Sequence, residues 1–157
     1  MKFSIDRAAL VRCINHVQSV VERRNTIPIL SNVKMIAGDG TLTLTTTDMD
    51  LEMTESVAAK VDKPGNTTAP AHTFYDIIRK LSDSAAVEIE TDSSGNTMTV
   101  KSGRSTFKLG CLPISDFPEM GSGDLPTTFS VRSAELRAII DRTKFAMSTE
   151  ETRYYLN

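Results

Sequence analysis

The spacing of apolar residues changes period early in the chain. Lys2-Phe3-Ser4-Ile5 alternates polar and apolar, the period of a half-buried strand. Leu10, Cys13, Ile14, Val17 and Val21 then recur at three- and four-residue steps, which predicts an amphipathic helix. Strands are predicted over 32–36, 41–46 and 51–57, with Gly38-Asp39-Gly40 as the hairpin turn between the first two. A short strand follows over 67–69. Pro70 opens a second helix with a core face of Phe74, Ile77, Ile78 and Leu81. Strands over 86–91, 97–101 and 105–109 complete the pattern, and Ser93-Ser94-Gly95-Asn96 turns between the first pair.

The opening pattern then returns. Thr128-Phe129-Ser130-Val131 repeats Lys2-Phe3-Ser4-Ile5 after 126 residues, and the register continues without a gap. Ala134, Leu136 and Ile140 match Ala8, Leu10 and Ile14, and Thr152 and Leu156 match Thr26 and Leu30. A second strand and helix are expected, the helix carrying Leu136, Ile139, Ile140 and Thr143 on one face and starting at Arg132 or Ser133, with Ser133 able to cap it. Residues 112–126 hold three prolines and two glycines, lack periodicity and read as a connection between copies. The expected organisation is one α+β domain over 1–120, with two helices against antiparallel sheets, a linker over 121–127, and the truncated start of a second copy over 128–157.

Composition adds limits. The chain is 39% hydrophobic and 24% charged, ordinary for a globular protein. It contains no long apolar run, and Asp6, Arg7 and Arg12 interrupt anything resembling a secretory leader, so a cytoplasmic protein that uses no membrane is expected. Cys13 and Cys111 lack neighbouring ligands at zinc spacing and read as two reduced buried thiols. The net charge of -2 argues against a generic nucleic-acid coat.

That net charge is segregated. Residues 6–24, 71–81 and 132–144 hold ten basic and five acidic residues, whereas the rest hold eight and fifteen. The candidates on solvated helix faces are Arg7, Arg12, Arg79, Lys80, Arg132, Arg137, Arg142 and Lys144. Either these form a surface that faces phosphate, or they only keep the helices hydrated. Arg23-Arg24 stands apart, between a helix and a strand, where paired arginines suit phosphate.

Asp48, Asp50 and Glu52 alternate, and on a strand would share one face able to hold a divalent cation. A free-standing metal-binding or enzymatic α+β domain built on them is the alternative reading. His16 is placed on the polar side of the first helix, and neither it nor His72 has a nucleophile or carboxylate beside it in sequence. No phosphate-cradling glycine loop and no catalytic constellation are legible.

Several segments resemble one family in order and spacing: Met1-Lys2-Phe3, Ile27-Pro28-Ile29-Leu30-Ser31-Asn32, Thr47-Asp48-Met49-Asp50-Leu51-Glu52, Ser102-Gly103-Arg104-Ser105, Asp116-Phe117-Pro118 and Arg153-Tyr154-Tyr155-Leu156-Asn157. The chain is similar throughout to the bacterial beta sliding clamp, the ring-shaped beta subunit of DNA polymerase III. The resemblance implies a DNA-clamp fold with repeated domains, two subunits closing head to tail around duplex DNA, and no catalytic role or cofactor. It implies loading by a clamp loader and tethering of the DNA polymerase III alpha subunit and other polymerases through short linear peptides. Arg24 then matches a DNA-contacting arginine, beside Arg23, and Glu150, Tyr154 and Tyr155 match positions that approach DNA. Glu150 departs from a glutamine, and a carboxylate there opposes a phosphate contact. Arg79, Lys80 and Arg137 would face DNA from the helices. Arg153 and Leu156 match part of the peptide pocket. Arg104, Ser105, Phe107 and Leu109 match the strand that pairs with the neighbouring subunit, with Phe107 and Leu109 expected to point to one side as its apolar contact.

Overall fold

In the computed structural model, residues 1–22, 26–82, 86–120 and 127–148 are described. The chain divides into two compact units, Met1–Met120 and Gly121–Asn157.

The first unit begins with strand β1 (Lys2–Ile5) and helix α1 (Arg7–Val17). Asp6 caps the helix, its Oδ1 accepting from the Ala9 amide at 2.9 Å. The α-helix stops earlier than its apolar spacing predicts. Thr46 Oγ1 donates to the Val17 carbonyl at 2.5 Å and Ser19 Oγ to the His16 carbonyl at 2.6 Å. These hydroxyls satisfy the last carbonyls, and a 3-10 turn over Gln18–Val20 follows. Val21 is buried from beyond the helix end.

Next come β2 (Asn32–Gly38), β3 (Thr41–Thr47), β4 (Glu52–Ala58), β5 (Lys60–Lys63) and β6 (Gly65–Pro70). Asp39 and Gly40 join β2 to β3 with φ of 48° and 73°, the positive pair of a tight hairpin turn whose twist matches its strands. Helix α2 (Ala71–Lys80) precedes β7 (Val87–Thr91), β8 (Thr97–Ser102) and β9 (Ser105–Gly110). Two antiparallel sheets result, in the orders β4-β3-β2-β6 and β5-β1-β7-β8-β9. Strand β5 is an addition to the predicted pattern. Lys60-Val61-Asp62-Lys63 has a single apolar residue, which lies opposite Phe3, and its charges suit a sheet edge.

Helices and sheets share one core. Leu10 and Ile14 of α1, Phe74 and Ile78 of α2, and Met35, Leu44, Ile89 and Val100 of the sheets are fully buried. Ile77, expected in the core, is only partly buried. A second cluster joins Ile29, Leu30 and Phe117, with Lys34 Nζ 4.9 Å above the Phe117 ring. Leu112 is tied to Thr68 in both directions, its amide donating to Thr68 Oγ1 at 3.1 Å and its carbonyl accepting from it at 2.8 Å. The first part of the expected connection is therefore packed onto the domain.

In the second unit, helix α3 spans Ser133–Thr143. Ser133 is its first helical residue and not its cap; Arg132 holds that place without a side-chain cap bond. Residues 128–131 are not a strand, correcting the sequence expectation. A strand exists through its ladder, and no described residue offers one here. Leu136, Ile139 and Ile140 are exposed. No helix of the described residues is long and apolar enough to cross a membrane.

Candidate nucleic-acid interface and subunit edge

Helices α1 and α2 pack against each other. Their basic residues have different fates. Arg7 is half-buried and donates through Nε to the Ile78 carbonyl at 3.1 Å, and through Nη2 to the Arg79 carbonyl. It caps the C-terminal turn of α2, where a cation also meets the negative end of the helix dipole. Arg7 is thus a structural cation and not the solvated one expected. Arg12 and Lys80 are exposed. Arg79 pairs with Asp76 Oδ1 at 3.0 Å and lies 5.5 Å over the Tyr75 ring. Both members of that ion pair are half exposed, so the pair holds the guanidinium only weakly.

On α3, Arg137 lies 3.6 Å from Asp141 Oδ2, Lys144 lies 2.7 Å from Asp141 Oδ1, and Arg132 pairs with Glu135. The Arg132 contact pulls the Glu135 carboxyl below its ordinary range. Arg23, Arg24, Glu150, Arg153, Tyr154, Tyr155 and Leu156 lie outside the described residues.

His72 has partners that the sequence did not reveal. Its Nδ1 lies 2.7 Å from Gln18 Oε1 and its Nε2 lies 2.9 Å from the Val21 carbonyl. Both partners are more than fifty positions away, so no local pattern could have signalled them. His16 also has a partner remote in sequence, Glu55 Oε2 at 3.0 Å and 39 positions away, but that pair is exposed.

At the other flank, β9 ends its sheet with no strand on its outer side among the described residues. Gly103, with φ of 56°, and Arg104 form the tight turn before it. Phe107 and Leu109 share one face, but only Phe107 reaches solvent: it is 37% exposed, whereas Leu109 is 7% exposed and belongs to the core. Phe107 and Ser105 line a cleft of about 290 Å³ whose far wall is Ile77, Lys80 and Leu81.

The acidic triad does not assemble. Asp48 Oδ1 accepts from the Asp50 amide at 2.9 Å and the Leu51 amide at 2.7 Å, which closes a turn. Met49 occupies positive φ of 83° within it, and β4 starts only at Glu52. The alternating acids therefore do not share a strand face. No group of three or more His, Cys, Asp or Glu among the described residues could hold a metal ion. We expect magnesium or calcium, up to about 10 mM, to leave the thermal midpoint unchanged, because a ligand without a site adds no stability. A rise of several degrees would restore the metal reading.

Neither cysteine is an activated thiol. Cys13 is buried, and burial with the Glu55 carboxylate pushes its thiol up to about 12. Cys111 is half-buried, and burial raises it too. Both remain protonated at neutral pH and are poor nucleophiles.

Residues 1–121 match the family model described as DNA polymerase III beta subunit, N-terminal domain. Over 157 residues the chain is 50% identical to the beta sliding clamp of Caulobacter vibrioides, covering 100% of this chain and 42% of that protein. The beta sliding clamp of Escherichia coli is 39% identical over 158 aligned residues, with 100% of this chain and 43% of that protein covered. The crystal structure of the DNA polymerase sliding clamp from Caulobacter crescentus superposes with a TM-score of 0.92 at 50% identity, across 100% of this chain and 42% of that one. That of the DNA polymerase III subunit beta from Pseudomonas aeruginosa gives 0.90 at 39% identity, with the same coverage. The chain spans less than half the length of these relatives. The two-sheet α+β architecture, the sequence match and the superposition agree: the chain belongs to the DNA polymerase III beta subunit family.

Proposed function

We propose that the chain is part of a DNA sliding clamp, a ring-shaped, non-catalytic, cytoplasmic processivity factor that encircles duplex DNA. The supporting observation is the end-to-end match to beta sliding clamps, at 50% identity and with the same fold. In this reading residues 1–120 are one clamp domain, 121–127 a linker and 128–157 the beginning of another. Two subunits form the ring, and the β9 edge at Arg104, Ser105, Phe107 and Leu109 is its contact with the neighbour. A clamp loader places it on DNA. The polymerase III alpha subunit and other polymerases bind through short peptides, with Arg153 and Leu156 in the pocket.

Tethering makes polymerase rebinding intramolecular, and the high local concentration gives processivity. Sliding requires weak, sequence-blind phosphate contacts. Arg23 and Arg24 would make them, with Tyr154 and Tyr155 nearby. Arg79 and Arg137, each shared with an aspartate, suit transient contact, and Lys80 is an exposed point charge. Glu150 would repel phosphate and limit how long the ring dwells at one place.

The whole protein, once loaded, is expected to stay on circular DNA and to leave linear DNA by its ends. The 157-residue chain alone is expected to be retained on neither. Equal escape from circular and linear DNA would refute encirclement.

A further inference from the structure

The last turn of α2 carries Arg79 and Lys80, the final two residues of the helix. Ile78 and Leu81, on either side of them in sequence, are buried, whereas Lys80 is exposed and the Arg79 side chain is half exposed. A helix leaves its last four carbonyls without partners from a following turn. Two of them, those of Ile78 and Arg79, are taken by Arg7, through Nε at 3.1 Å and through Nη2. The Ile78 carbonyl also accepts from the Leu81 amide at 3.3 Å. The core therefore holds the apolar side of the turn, and one guanidinium holds its carbonyls.

That guanidinium comes from another helix, 71 and 72 positions away in sequence. Its N–H groups form a planar fork that reaches two carbonyls at once, which the single ammonium of a lysine does not reproduce. Arg7 is half-buried and aims its charge at the negative end of α2, not outward. Arg79, by contrast, shares its guanidinium only with the half-exposed Asp76 and the Tyr75 ring, so its charge stays available to a passing phosphate.

We propose that Arg7 is a positioning residue for DNA contact: by holding the carbonyls of Ile78 and Arg79 it fixes the turn that presents Arg79 and Lys80, without itself touching phosphate. This rests on the reading of Arg79 and Lys80 as DNA contacts.

The test is a mutant cycle in the whole protein, with fluorescence anisotropy on a primed duplex at low salt and well below the thermal midpoint of every variant. Arg79→Ala combined with Lys80→Ala is expected to weaken binding about tenfold and to flatten the salt dependence by about two counterions. Arg7→Lys keeps the charge but loses the fork. It is expected to weaken binding about threefold, as much as Arg7→Ala does, and to add nothing once Arg79 and Lys80 are alanine. Arg7→Lys also serves as the test should the alanine variant not fold. Hydrogen exchange at the Leu81 amide is expected to quicken about tenfold in either Arg7 variant, because the turn that amide closes opens more often.

Full binding by Arg7→Lys beside a weakened Arg7→Ala would overturn the proposal, because it marks direct phosphate contact by the Arg7 charge. Additive losses would overturn it, as would normal binding by both Arg7 variants with only a lowered thermal midpoint, which marks a purely structural role. Unchanged exchange at Leu81 would do the same. If the variant lacking both Arg79 and Lys80 binds normally, the DNA-contact reading of those residues fails, and the positioning role fails with it.

Discussion

Phe74→Ala is expected to lower the unfolding free energy of the first unit by about 3–5 kcal/mol, the usual cost of removing a buried aromatic side chain. Phe74 is fully buried on α2, at the level where the helices meet the sheets. Its removal takes away apolar transfer energy and leaves a void that a four-element core cannot close by moving one neighbour. A typical domain has about 5–15 kcal/mol in total, so the loss consumes much of the margin. Urea denaturation reads it as a lower midpoint at unchanged slope. Ile77→Ala is the matched control. Ile77 is one turn along the same helix but only partly buried, so its loss should be clearly smaller. Equal losses at the two sites, or a loss under about 1 kcal/mol at Phe74, would contradict the packing described, since deleting a fully buried aromatic costs several times that.

Phe107→Asp is expected to separate assembly from folding. The side chain is 37% exposed beside the cleft under β9, so a carboxylate there can stay hydrated and the domain should keep its thermal midpoint. In the whole protein the same carboxylate would be desolvated by any strand pairing with β9. We expect dimer dissociation to become easier by at least about a hundredfold, the scale of a lost interface anchor. Sedimentation velocity over a dilution series measures it. Leu109→Asp gives the contrast. Leu109 is 7% exposed and part of the core, so its charge would be buried unpaired and the domain itself should unfold. An intact dimer carrying Phe107→Asp would remove β9 from the proposed interface.

These two residues show how far sequence reasoning reached. Strand alternation placed Phe107 and Leu109 on one face, and the two lie opposite the buried Val100 and Met98 of β8. Alternation says nothing about where along a strand the covering layer ends. Leu109 meets the core, while Phe107 extends past it. Periodicity also found α1 (though not its end), α2 and the strands with repeated apolar positions. It failed at β5, where a single valine carries no period, and at residues 128–131, where the right pattern lacks a paired strand among the described residues.

The polar sites were less legible for a different reason. A side chain's role is set by whatever reaches it in three dimensions. Arg7 looked like a solvated cation because its acceptors are about seventy positions away. Asp48 looked like a ligand because alternation assumed a strand, whereas its carboxylate already serves two amides of its own turn. The Arg23-Arg24 pair stood out by itself as suited to phosphate; the family resemblance added the DNA-contacting role of Arg24 and supplied the β9 edge as a candidate. Composition supplied only the surplus of basic residues on helices.

Arg7 and His72 together have a mechanical consequence. Arg7, the first residue of α1, grips the last turn of α2, and His72, the second residue of α2, grips the stretch just past α1. The helices therefore run in opposite directions and are bolted at both ends of their overlap. A pair joined at one end can scissor about that joint; a pair joined at both resists scissoring and sliding alike. Side chains projecting from the two helices consequently keep a fixed spacing, as teeth on one rigid plate.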